Sequence, residues 1–175
     1  MLPTVPPQAP PAEPATASAT AAAGSEKAKW GDEDMVILAK AMRLCDRLQK
    51  LDLSHNKVGS KGAAALAPAI AVSGELTVVN VLRNNLDVPS AKMLAAVAKE
   101  KGISLCGIKR DQTEAEFSHQ DLKPPDALLL ASDLSQAGVT GKLTKIDLSN
   151  NMLGGDGEAA LRKAVEGRSG FELVL

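Results

Sequence analysis

Residues 48–58 read LQKLDLSHNKV, residues 76–86 read LTVVNVLRNNL and residues 143–153 read LTKIDLSNNML. Each stretch has apolar residues at its first, fourth, sixth and last positions, and each carries an asparagine at the same place: Asn56, Asn84 and Asn151. Leu48 and Leu76 are 28 residues apart, and so are Leu143 and Phe171. Two independent pairs therefore share one period, and Phe171 opens a fragment of a further copy.

A fixed period of this length marks a chain that stacks one structural unit on the next. Inside the unit the alternation of Leu51, Asp52 and Leu53 makes a strand, with the leucines entering a core and Asp52 facing out. The asparagine then serves the turn. One side-chain amide both donates and accepts, so it satisfies backbone groups left open where the chain leaves the strand. Asn56, Asn84 and Asn151 are accordingly read as structural turn residues. After each turn an Ala- and Leu-rich stretch reads as a helix, at 60–73, 89–102, 124–136 and 155–167. In the second of these Ala91, Leu94, Ala95, Val97 and Ala98 form the inward stripe, Pro89 or Ser90 starts the helix and Gly102 ends it. Parallel strands need a crossover of a dozen residues or more, and these helices supply it.

The pattern resembles the leucine-rich repeat, and its 28-residue length with a helical second half resembles the ribonuclease-inhibitor-like subclass found in NOD-like receptors and Ran GTPase-activating proteins. The resemblance covers residues 44–175. It implies an α/β leucine-rich-repeat solenoid, a short horseshoe with parallel strands on the concave face and helices on the convex face. It leaves the partner open, because unrelated partners bind the same scaffold.

Residues 1–29 hold six of the ten prolines and an Ala-, Ser- and Thr-rich run without a sustained apolar face, so a disordered tail is expected there. Its three Pro-x-x-Pro frames lack flanking Arg or Lys and read as spacer. Residues 30–47 are expected to form a capping helix, with Asp32 as its N-cap, and residues 48–175 the repeats. The pattern breaks once. Residues 103–108 fit a third strand with Cys106 in a leucine position and Asp111 where asparagine belongs. The strand-like piece at 115–122 follows too closely for a helical crossover, so residues 109–122 are read as an insertion, a hairpin turning back beside strand three. Departures from a regular pattern are places where function is often found.

Composition narrows the function. Two Phe, one Trp and no Tyr leave little for stacking bases or sugars, and a net charge of -1 supplies no field for phosphate backbones or anionic lipid. Neither nucleic acid nor membrane is expected as a partner. Cys45 and Cys106 lie among apolar residues, which suits buried thiols in a reducing compartment, and the protein is read as cytoplasmic. The two histidines, His55 and His119, have no metal-ligand spacing, and neither cysteine has a base nearby in sequence. The stretch 138–142, GVTGK, lacks the leading glycine and magnesium-binding hydroxyl of a phosphate loop and reads as a connecting loop. No catalytic residue, metal or cofactor is expected.

What remains is a non-catalytic protein–protein interaction module. Its expected surface is the outward ladder of Lys50, Asp52, His55, Asn80, Leu82, Arg83, Lys109, Arg110, Lys145 and Asp147, whose mixed charge suits specificity. Regulation of a small GTPase, implied by the Ran GTPase-activating likeness, and a structural role in a cytoskeletal or sensor assembly are the alternatives. Phe171, Leu173, Val174 and Leu175 are apolar where a terminal repeat needs a polar cap, so self-association through the C-terminal edge is expected as well.

Overall fold

The computed structural model describes residues 15–18 and 29–175. In chain order the elements are β1 (Ala15–Ser18), α1 (Asp32–Met42), β2 (Leu48–Asp52), α2 (Ser60–Val72), β3 (Val78–Asn80), α3 (Val88–Lys101), β4 (Glu114–Glu116), α4 (Pro124–Leu134), α5 (Ala137–Thr140), β5 (Lys145–Asp147), α6 (Gly154–Ala164) and β6 (Glu172–Val174). The strands form two parallel sheets, ordered β1-β2-β3 and β4-β5-β6. Helices pack in succession, α1 on α2, α2 on α3, α3 on α4 and α4 on α6. The result is an α/β repeat fold. Strand β1 falls inside the stretch expected to be disordered and pairs with β2; residues 1–14 and 19–28, the Pro-x-x-Pro frames with them, lie outside the described residues.

One hydrophobic cluster joins the two kinds of element. Strand alternation sends Leu51, Leu53, Val79, Val81, Ile146 and Leu148 into it, and the helices add Leu66, Ile70, Leu94, Leu129, Leu130 and Leu161. Truncating one of these fully buried leucines to alanine costs about 2–5 kcal/mol. Two glycines set the helix spacing. A Cβ on Gly62 would stand 2.7 Å from Asp32 Oδ1 where α1 meets α2, and one on Gly157 would stand 2.8 Å from the Ala127 Cβ where α4 meets α6.

Several local expectations need correction. Gly31, not Asp32, is the N-cap of α1, and Asp34 closes that start by accepting from the Gly31 amide at 2.8 Å. Asp32 instead reaches the next helix, where Oδ1 accepts from the amides of Gly59 and Gly62 at 2.7 and 2.9 Å and so caps α2, whose own N-cap has no side chain. Helix α3 starts one residue before Pro89, because Asp87 is its N-cap and accepts from Ser90 N at 2.8 Å; Gly102, at φ 65, ends it as expected. The 138–142 loop is partly helical, as α5. Cys45 is exposed, since it follows α1 in a turn, while Cys106 is buried.

The largest correction concerns residues 109–122. They do not form a hairpin beside strand three. Glu114–Glu116 is β4, parallel to β5, with Ala115 opposite Ile146. Residues 103–108 meet β3 only through isolated bridges, Val78 with Ser104 and Asn80 with Cys106. The rule that a parallel pair needs a long crossover is kept, because β4 opens a new sheet rather than pairing with the strand just before it. Asp111 is exposed and does not stand in for the asparagine.

Candidate functional site

Register decides which side chains share the strand face. Lys50 lies beside Val78 and Asp52 beside Asn80 in the first sheet. In the second, Glu114, Lys145 and Glu172 form one row, and Glu116, Asp147 and Val174 another. Lys145 Nζ pairs with Glu172 Oε1 at 2.7 Å, an exposed, solvent-screened contact that raises the lysine above its ordinary value.

At the ends of β2, β3, β4 and β5 one polar side chain is also tied to the turn. Asp52 Oδ1 accepts from the Ser54 amide and hydroxyl at 2.9 and 2.7 Å, Asn80 Oδ1 from Leu82 N at 3.2 Å, Glu116 Oε1 from Ser118 N at 2.8 Å and Asp147 Oδ1 from Ser149 N at 2.9 Å. The bonds from Ser149 hold the Asp147 carboxyl below its ordinary value. Each of these residues thus has one oxygen in the fold and the rest of its surface on the strand face.

The turn itself is built in two moves. His55, Arg83, His119 and Asn150 take left-handed φ of 61, 59, 53 and 57, which reverses the chain just past the strand. The asparagines then stitch neighbouring units: Asn84 Nδ2 donates to Leu53 O and Val81 O at 2.9 Å each, and Oδ1 accepts from Val58 N at 3.0 Å. Asn151 does the same between Phe117, Leu148 and the amides of Gln120 and Leu122. Asn56 bonds Leu53 O and Ser54 O and accepts from Trp30 N. Leu82, expected outward, is buried at 2 % exposure, because β3 has already ended at Asn80 and alternation no longer applies.

The broken unit uses a different device. From α4, Asp133 Oδ1 accepts from Leu105 N at 3.0 Å, and Oδ2 accepts from Cys106 N at 3.1 Å and from the Ser104 hydroxyl at 2.7 Å. The Ser104 oxygen in turn accepts from Cys106 N and Ile108 N. Burial pushes the Asp133 carboxyl up to about 6 against these bonds, and burial with the nearby Asp133 charge pushes the Cys106 thiol well up. A thiol so held is poorly nucleophilic.

Beyond that strand, Lys109, Arg110 and Asp111 fold back beside Lys50, Thr77 and Val78 around a cavity of about 300 Å³, and Arg110 donates to Gly102 O at 3.0 Å. The structure therefore brings Lys50, Lys109 and Arg110 together, sets His55 with Arg83 around a second cavity, and keeps Lys145 and Asp147 on the other sheet. Face charge divides accordingly: Lys50, Lys109 and Arg110 outnumber Asp52 and Asp111 on one side, while Glu114, Glu116, Asp147 and Glu172 outnumber Lys145 on the other. Sequence reading missed the acidic rows because it placed Glu114 and Glu116 in an insertion; the Glu-Ala-Glu alternation around buried Ala115 was the available signal. Among the described residues no group of three His, Cys, Asp or Glu is placed to hold a metal, and no helix is long and apolar enough to cross a membrane.

A family model described as Leucine Rich repeat matches residues 48–67, and a second, described as Leucine Rich Repeat, matches residues 142–164. No curated protein matches the chain. The matched segments hold β2 with the start of α2 and β5 with α6, each with its asparagine turn. Both segments therefore carry the leucine-rich repeat pattern.

Proposed function

We propose that the chain is a non-catalytic protein-interaction module of the ribonuclease-inhibitor-like kind, a short horseshoe that binds a protein partner across its strand face. Residues 30–47 cap the stack, 48–175 form the repeats, and the remainder of the tail acts as a spacer. The observation that carries the reading is the parallel register, which sets Lys50, Asp52 and Asn80 side by side on one sheet and Lys145 and Asp147 beside Glu114, Glu116 and Glu172 on the other. Lys109 and Arg110 extend the basic end, and His55 and Arg83 its lower rim. A face that is basic at one end and acidic at the other orients a partner of opposite polarity rather than attracting charge in bulk. A buried free thiol at Cys106 suits a reducing setting, which supports the cytoplasmic reading.

Cross-linking mass spectrometry from native lysate tests the reading. A partner whose links map to the strand face and are lost in Lys50→Glu/Lys145→Glu supports it; the same links persisting in that variant overturn it. Regulation of a small GTPase rests on the family likeness alone, and GTP hydrolysis by a panel of small GTPases with and without the chain separates it from plain binding. Self-association through β6 is a further expectation. Phe171, Leu173 and Leu175 already pack against the core, so light scattering over a range of concentrations decides it.

A further inference from the structure

We propose that the cavity at the C-terminal ends of β2 and β3 seats a carboxylate from an acidic segment of a polypeptide, held among Lys29, Lys57, Arg83 and Lys123. The inference rests on the protein-binding reading only in taking the anion to belong to a polypeptide. The cavity has a volume of about 270 Å³ and is bounded by these four cations and by two carboxylates, Asp121 and Asp126. Asp126 is spent on the fold: Oδ1 accepts from Arg83 N at 3.0 Å and Oδ2 from Lys123 N at 2.9 Å. Among the described residues none of the four cations forms an ion pair. Four cations against two carboxylates leave this concave site with an excess of positive charge, and a concave surface lined by one sign in excess concentrates its field.

His55, on the same wall, reports that field. Burial and then Arg83 push its ring below the ordinary value, Asp52 opposes them, and Lys29 adds to the push. The source of the anion follows from position. His55 and Arg83 come three residues after the last residues of β2 and β3, so an extended chain lying on the strand face runs directly into the cavity. No Phe, Tyr or Trp lines the cavity, which leaves a nucleotide base only the His55 ring and the Arg83 guanidinium to stack on.

The test uses the full chain, nitrogen-labelled, titrated by NMR with a hexaglutamate peptide and separately with inorganic phosphate. Hexaglutamate is expected to shift the amides of Lys57, Arg83 and Lys123 and to raise the His55 titration midpoint. Lys57→Gln/Lys123→Gln, which changes only exposed side chains, is expected to weaken it about tenfold while melting like wild type. Arg83→Gln gives an independent second variant. Shifts spread over surface lysines and unaltered in both variants overturn the proposal, as does silence at the cavity amides up to about 5 mM peptide. Occupation by phosphate with no response to hexaglutamate also overturns it, by making this a free-anion site. None of these failures touches the strand-face variant Lys50→Glu/Lys145→Glu, so the two readings fail separately.

Discussion

The turn at Asn84 and the bridged segment Ser104–Ile108 solve one problem with opposite chemistry. Both must satisfy amides and carbonyls that leave the strand layer inside a packed core. At Asn84 a neutral amide from the turn itself donates to Leu53 O and Val81 O and accepts from Val58 N. At Ser104–Ile108 no asparagine is present, and a carboxylate comes from α4, 28 residues beyond Leu105, to accept from Leu105 N and Cys106 N. A neutral amide works at any pH and can be supplied locally. A buried carboxylate binds amides more strongly but brings desolvation with it, and its occupancy of the charged state varies with pH. The break between the two sheets is thus a place where a helix does the turn's work.

The largest expected effect breaks the second solution. Asp133→Ala leaves the Leu105 amide buried and unpaired, at about 1–3 kcal/mol, and leaves Cys106 N with the Ser104 hydroxyl alone, so urea unfolding should show the midpoint falling accordingly. A pH series sharpens the contrast. The Asp133 carboxyl is raised from 3.8 to about 6 in the folded protein, so the folded state takes up the proton first as pH falls. The stability this adds is fully present below 3.8 and is lost as pH rises through about 6. Relative to Asp133→Asn, wild type should therefore gain of order 2–3 kcal/mol between about pH 7.5 and about pH 4. Asp126, also raised, and Asp87 and Asp147, both lowered, are common to the two proteins and cancel. No such gain should separate wild type from Asn84→Ala.

Asn84→Ala itself orphans the Val58 amide and should cost about 1–3 kcal/mol by thermal or urea unfolding. Asn80→Ala loses one bond to Leu82 N at a half-buried position and should cost under about 1 kcal/mol. Equal losses from the two would show that the turn asparagine has no special place.

The regular units were legible because their signals are local. Alternation over Leu51–Leu53 and the asparagine three residues on belong to one stretch of chain, and the structure places them accordingly. The helices followed from their Ala and Leu spacing, with errors of at most one residue at their starts and up to three at their ends; at the starts Asp32 and Asp87 serve roles that spacing does not reveal. Leu82 was misread because alternation was extended past the end of β3. The left-handed turn residues His55 and Arg83 carry no compositional mark, since the position is filled by neither glycine nor asparagine there. Residues 115–122 were read as strand-like, but the start of β4 at Glu114 and its pairing were hidden, because Glu-Ala-Glu has weak strand propensity and the partner strand lies 31 residues on. Asp133 was invisible for the same reason: its role exists only once α4 has packed beneath the broken strand.

Hydrogen exchange at four amides tests most directly whether Asp133 does for the broken unit what the ladder does for the regular ones. Leu53 N and Val81 N are held by Asn80 O and Leu105 O, and Leu105 N and Cys106 N by the Asp133 carboxylate. All four should exchange slowly and with similar protection in wild type, and Asp133→Ala should release Leu105 well before Leu53, with Cys106 loosened less because Ser104 still accepts from it. Exchange of the Leu105 and Cys106 amides near the rate of an exposed loop in wild type, unchanged in Asp133→Ala, would contradict it.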